Sequence, residues 1–175
     1  VHTLQPGDSQ TAAARTVAYE AARSHPIIAL DLAATLPPSR ERDDLLVHAV
    51  SQWALSDPAS ATAWAERASE ASLRQRLVAA TAISLAERDG SAAARLIVSD
   101  LEAGTEQDRA AVSIVQRWAQ QSPEAAASWV SEFPDGPLRK VAVETLSAVW
   151  VENDANVHAL GEHIFPVGPL GAGQI

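Results

Sequence analysis

Five arginines stand where they could hold an anion. Arg42, Arg74 and Arg139 share one place near the start of successive predicted helices, and Arg76 and Arg109 share another, two residues further on. A guanidinium presents its N–H donors as a flat fork that matches a carboxylate. On a chain of net charge -9, a ladder of such groups could grip acidic side chains or a chain-terminal carboxylate. The helix dipole opposes a cation at a helix N-terminus, so each of these arginines needs something to hold it there. A salt bridge or carbonyl contact to a neighbouring helix would do so, and the structural and the partner-binding readings both stand at this level.

The other chemistry-bearing residues are sparser. Trp53, Trp64, Trp118, Trp129 and Trp150 could form an aromatic groove for a peptide or a sugar. Their regular spacing favours a packing column instead, with each ring at least four-fifths buried. The acids Glu41, Asp43, Asp44, Glu66, Glu70, Glu102, Glu106 and Asp108 gather around predicted turns. They read as a solvated rim, since no stretch has the oxygen-ligand spacing of a calcium loop. The histidines are His2, His25, His48, His158 and His163. His158 and His163, five apart, fall on different helical faces and make no His-Glu-x-x-His zinc motif. His48 reads as a surface or partly buried imidazole. There is no cysteine, hence no disulfide, thiolate nucleophile or zinc–sulfur site. Neither a phosphate-binding glycine loop nor a Gly-x-Ser-x-Gly elbow occurs, so no catalytic residue and no cofactor is assigned.

The elements that would position these residues are helices. The chain is rich in Ala, only 5% of it is aromatic, and runs of alternating β-branched residues are missing. That mix suits closely packed helices rather than strands. Trp53–Trp64 reads Trp-Ala-Leu-Ser-Asp-Pro-Ala-Ser-Ala-Thr-Ala-Trp, and Trp118–Trp129 reads Trp-Ala-Gln-Gln-Ser-Pro-Glu-Ala-Ala-Ala-Ser-Trp. Each looks like a helix end, a break and a new start, with Asp57 or Ser122 as N-cap and Pro58 or Pro123 at the first helical position. Breaks fall at Pro26, Pro58, Gly90, Pro123 and Ala155, with spacings of 32, 32, 33 and 32 residues.

A fixed period in this range signals stacked two-helix units. The expected organisation is a lead-in over 1–8, a capping helix over 9–25, repeats over 26–57, 58–89, 90–122 and 123–154, a partial repeat over 155–162, and a tail over 163–175. The fold class is all-α, an α-α superhelix or solenoid of about four helical hairpins. In the first helix of each hairpin Ala29, Ala61, Ala93 and Ala126 share a face with Leu32, Trp64, Leu96 and Trp129. In the second, the columns are Leu46, Val78, Ala111 and Val143, then Ala49, Thr81, Ile114 and Leu146, then Trp53, Leu85, Trp118 and Trp150. Thr105-Glu106-Gln107-Asp108 suggests a capping box. The tail, uncharged and carrying Phe165, Val167, Leu170 and Ile175, is expected to fold back near Leu146 and Trp150 or to dock into a neighbouring copy, giving a homo-oligomer.

A helical hairpin recurring every 32–33 residues resembles the tetratricopeptide and related α-α superhelical repeats over roughly residues 26–154. The Trp-Ala-x-x-(Asp/Ser)-Pro-x-x-Ala-x-x-Trp pattern also looks like Ala-rich helical repeats of bacterial proteins. Trp64 is followed by Ala65-Glu66-Arg67-Ala68, without the Gly and Tyr of the tetratricopeptide pattern. Repeats of the tetratricopeptide kind bind peptides and proteins on a concave face, whereas the bacterial repeats transfer no catalytic residue and imply the fold alone. The leading expectation is a non-enzymatic scaffold that presents one face to a protein or peptide partner. The alternatives are the helical scaffold of a larger enzyme or sensor, and an α-helical enzyme with a concave-face site. The acidic balance argues against nucleic acid and against an anionic membrane surface. No apolar run is long enough for a membrane helix. Lack of cysteine leaves the compartment, cytoplasmic or periplasmic, open, and any signal or anchor would lie upstream of Val1.

Overall fold

The structure, a computed structural model, describes residues 6–164, and describes side-chain surroundings for residues 12–152. Among the described residues it is all-helical, with no strand. The helices are α1 (Pro6–Ala21), α2 (Pro26–Ala34), α3 (Arg40–Ala54), α4 (Pro58–Ala65), α5 (Ala71–Leu85), α6 (Gly90–Asp100), α7 (Thr105–Ala119), α8 (Pro123–Ser131) and α9 (Pro137–Ile164).

Local chemistry sets most of the starts. Asp57 accepts the Ser60 backbone N–H at 3.1 Å, Asp89 that of Ala92 at 2.8 Å, and Ser39 that of Arg42 at 3.1 Å. Each satisfies one of the donors that a helix N-terminus leaves unpaired. Pro26, Pro58 and Pro123 open α2, α4 and α8, where the missing N–H removes no hydrogen bond. Ser122 is the N-cap residue of α8, but its side chain makes no capping bond. The capping box expected at Thr105 is not formed: Gly104 takes the N-cap place, and the Gln107 side chain turns to the carbonyls of Ile97 and Leu101 at 3.0 and 3.4 Å.

The two ends differ from expectation. Residues 6–8, read as part of an irregular lead-in, belong to the first turn of α1, with Pro6 at its start. The break expected at Asp154-Ala155 is not there, because α9 runs without interruption through residues 155–162 to Ile164. Asp154 offers a cap, but the Pro or Gly that opens the other short helices is replaced by Ala155, the residue that best continues a helix. Segment 165–175, for which folding back or docking was expected, lies outside the described residues.

The long helices pack in sequence, α3 on α1, α5 on α3, α7 on α5 and α9 on α7. Each short helix, α2, α4, α6 and α8, packs on the two long ones flanking it. Alanine makes that close approach feasible: Ala29, Ala61, Ala93 and Ala126 are fully buried, as are Ala33 and Ala65. Large side chains fill the spaces between, with Leu30, Leu77, Ile97, Ile114 and Val130 buried.

The tryptophans divide. Trp53, Trp64, Trp118 and Trp129 are partly buried and packed against the core. Trp150 departs from the four-fifths burial expected, being 51% exposed. Its place on a long helix is covered by the helix pair that follows, and no described helix pair follows α9.

Candidate functional site

Two of the partly buried tryptophans, Trp118 and Trp129, line the space between α6 and α8. Trp118, near the end of α7, stacks over the backbone of Gly90 at the start of α6. A Cβ on that glycine would lie 2.1 Å from the indole Cγ. Seated there, Trp118 has its ring centroid 6.1 Å from that of Trp129 on α8, at an interplanar angle of 44°. Trp129 in turn meets Phe133 edge-on at 4.8 Å and 84°, the arrangement aromatic quadrupoles favour.

Above this cluster α6 and α8 diverge to leave an open groove of about 710 Å³. Trp118 and Trp129 line it with Ala94, Val98 and Ala125, and its polar groups are Ser91, Arg95, Ser99, Ser128 and Glu132. Arg95 stands on the α6 wall, bonded to Ser91 Oγ at 2.6 Å. Glu132 belongs to the α8 wall. A second groove of about 520 Å³ lies between α4 and α6, lined by Leu85 at the place that Trp118 takes in the next helix pair. Arg95 borders both grooves, and Glu66 on α4 lines the second as Glu132 lines the first, though from the opposite wall. Apolar and aromatic surface with a few polar groups on opposite walls is what an extended peptide or small ligand requires.

The five arginines are not brought together as one ladder. Arg74 donates to the Ala68 carbonyl at 3.1 Å, closing the turn between α4 and α5. Gln107 occupies the same place in the next helix pair and makes the same kind of contact. Arg139 pairs with Asp135 at 2.5 Å in the turn before α9. Arg76 reaches across to Asp44 on α3, also at 2.5 Å. Arg42 lies 3.5 Å from Asp43, and its buried Nε has no hydrogen-bond partner among the described residues. Arg109 lines a separate, mainly apolar groove of about 580 Å³ between α7 and α9. Intramolecular partners therefore occupy Arg74, Arg76 and Arg139.

Three contacts between helix pairs went unread in the sequence. Arg88 donates to the Leu55 carbonyl at 3.1 Å, and Gln121 to that of Glu87 at 2.6 Å. Arg117 forms an ion pair with Glu87. Arg88 and Gln121 are 33 residues apart, and two long polar side chains at that spacing were the available signal.

His48, half-buried, stacks on Tyr19 with centroids 4.4 Å apart, and its Nε2 has no partner among the described residues. Burial, and then the charge of Arg23, hold the imidazole below its ordinary pKa. The Glu41 carboxyl is also held low, first by its backbone hydrogen bond and then by the Ser39 hydroxyl. Most of the acids at the turns are exposed, with Asp43 and Glu106 half-buried. No group of three His, Cys, Asp or Glu side chains is placed to share a metal ion among the described residues. Nor is any helix among them long and apolar enough to cross a membrane. No family model, curated protein or solved structure matches this chain.

Proposed function

We propose that the chain is a non-enzymatic protein- or peptide-binding module. In this reading it is an α-α superhelix of about four helical hairpins with a 32–33-residue period, and the short helices form the walls of a track that takes an extended segment of the partner. The observation that carries the reading is the Trp118–Trp129 pair, partly buried in the core and open to the groove between α6 and α8. Partly exposed indoles beside a pocket are the side chains that contribute most at protein interfaces. The neighbouring groove between α4 and α6 shares Arg95 and Ser99 with it and has Leu85 and Leu96 where the first has the two tryptophans, which suits a ligand spanning more than one helix pair.

The test is selection of peptides from a random display library on the purified chain, followed by titration of the selected sequences against variants. Ser128→Arg and Ala125→Arg fill the groove from exposed positions of α8 without entering the core. Selected peptides should lose at least about tenfold in affinity for either variant. Failure to select any peptide, or equal binding to both variants and the parent, overturns the proposal.

A further inference from the structure

Counting from the first residue of each short helix, and setting aside the extra residue of the third pair, places Leu46, Val78, Ala111 and Val143 together. It likewise groups Val50, Ala82, Val115 and Ser147, and then Ala54, Ala86, Ala119 and Val151. In α3, α5 and α7 every one of these is at most 3% exposed. In α9 the outcome reverses: Val143 is 46% exposed and Val151 71%, with Ser147 exposed between them. The cause is positional, since α5 covers this face of α3, α7 that of α5 and α9 that of α7.

The mating face can be read in the same way. Ala49, Thr81, Ile114 and Leu146 are buried, whereas Val17, their counterpart on α1, is 58% exposed because no described helix precedes α1. A long helix thus meets its predecessor through the Ile114 face and its successor through the Ala119 face. In two of these contacts a charge pair crosses, and both have the same sense. Arg76 on α5 meets Asp44 on α3, and Arg117 on α7 meets Glu87 just beyond α5. The later helix brings the cation and the earlier one the acid. Glu152 on α9 takes the place of Glu87 and is exposed.

We infer that this face of α9 docks a helix of a partner protein, one that is small or aliphatic where α7 has Ala110 and Ile114 and carries Arg or Lys where α7 has Arg117. Two observations fix that chemistry, continuity with three contacts already formed inside the chain and the exposed carboxylate of Glu152, which has no ion-pair partner among the described residues. A second copy of the chain fits less well, because α1 has Glu20 where α7 has Arg117 and would set acid against acid.

The probe is a fluorescein-labelled peptide of residues 105–121, held helical by a side-chain link between positions 112 and 116, which lie off its mating face. Fluorescence anisotropy against the whole chain should show saturable binding. Val151→Glu, at a position too exposed to disturb folding, should abolish it while leaving the circular dichroism spectrum unchanged. Arg117→Glu in the peptide should weaken binding about tenfold, and Glu152→Arg in the chain should restore it. No saturable binding, or binding indifferent to Val151→Glu, overturns the inference. Self-association of the chain in sedimentation that Val151→Glu removes would overturn it in favour of a second copy. Binding that emerges only after residues 165–175 are deleted would overturn it in favour of the chain's own segment.

Discussion

Gly90 and Trp118, far apart in sequence, are in contact so close that the glycine has no room for a side chain, since a Cβ would meet the indole Cγ at 2.1 Å. The atoms it would strike are near the root of the Trp118 side chain, so a simple rotation cannot clear them. At the same place in the other short helices stand Pro26, Pro58 and Pro123. Gly90→Ala should therefore destabilise the chain by about 1–3 kcal/mol, as overpacking does, although alanine is the better helix former. Urea denaturation of Gly90→Ala, Trp118→Ala and the double variant checks this. The double variant should be more stable than the sum of the two losses implies.

The Trp118 and Trp150 side chains occupy the same place on α7 and α9 but differ in surroundings. Trp118→Ala should cost about 2–4 kcal/mol, because it leaves a hole beside Trp129 and Gly90. Trp150→Ala should cost about 1 kcal/mol or less, since half of that ring already faces water. Unfolding midpoints give the ordering, and acrylamide quenching should fall when Trp150 is removed. Equal costs would mean that Trp150 is covered in solution.

Arg74 and Gln107 do the same work with different charges, each donating to carbonyls at the end of the short helix before it. Arg74→Gln should be nearly neutral, whereas Arg74→Ala should cost about 1 kcal/mol for a lost half-buried hydrogen bond. If the ladder were a binding surface instead, Arg74→Gln would weaken partner capture without altering the melting temperature.

Asp57 caps α4, and the Ser60 hydroxyl and backbone N–H hold its carboxyl below the ordinary value of 3.8. A carboxyl whose folded pKa lies below its unfolded one adds stability above the unfolded value, and this is lost as pH falls through the folded one. Asp57→Asn should melt below the parent at pH 7, and the gap should narrow below pH 3.8. Thermal melts of both proteins across that range measure it. A gap that stays constant would show that the charge of Asp57 plays no part in its capping.

Much of the helical layout was legible because its causes are local. Asp57 and Asp89 bond to backbone N–H groups three residues on, and Pro26, Pro58 and Pro123 stop one helix and open the next. The buried alanines at 29, 61, 93 and 126 follow from helical periodicity over a few residues. The candidate groove was only half legible. Trp118 and Trp129 were identifiable as apolar and regularly placed, which matches a core column and a groove lining equally well.

Tertiary structure decided the rest. Whether a ring at the Trp118 place is sheltered or wet depends on which helix covers it, so Trp118 and Trp150 diverge despite equivalent positions. Arg88 finds the Leu55 carbonyl and Gln121 that of Glu87 only once two helix pairs are packed together. The helix through Asp154-Ala155 shows the same limit, because a cap competes with continuation and neither wins on its own residues alone. Helix starts and apolar faces are set within a turn or two of the chain. Burial, ion pairing and the opening between α6 and α8 depend on segments about thirty residues apart, whose distances no local pattern contains.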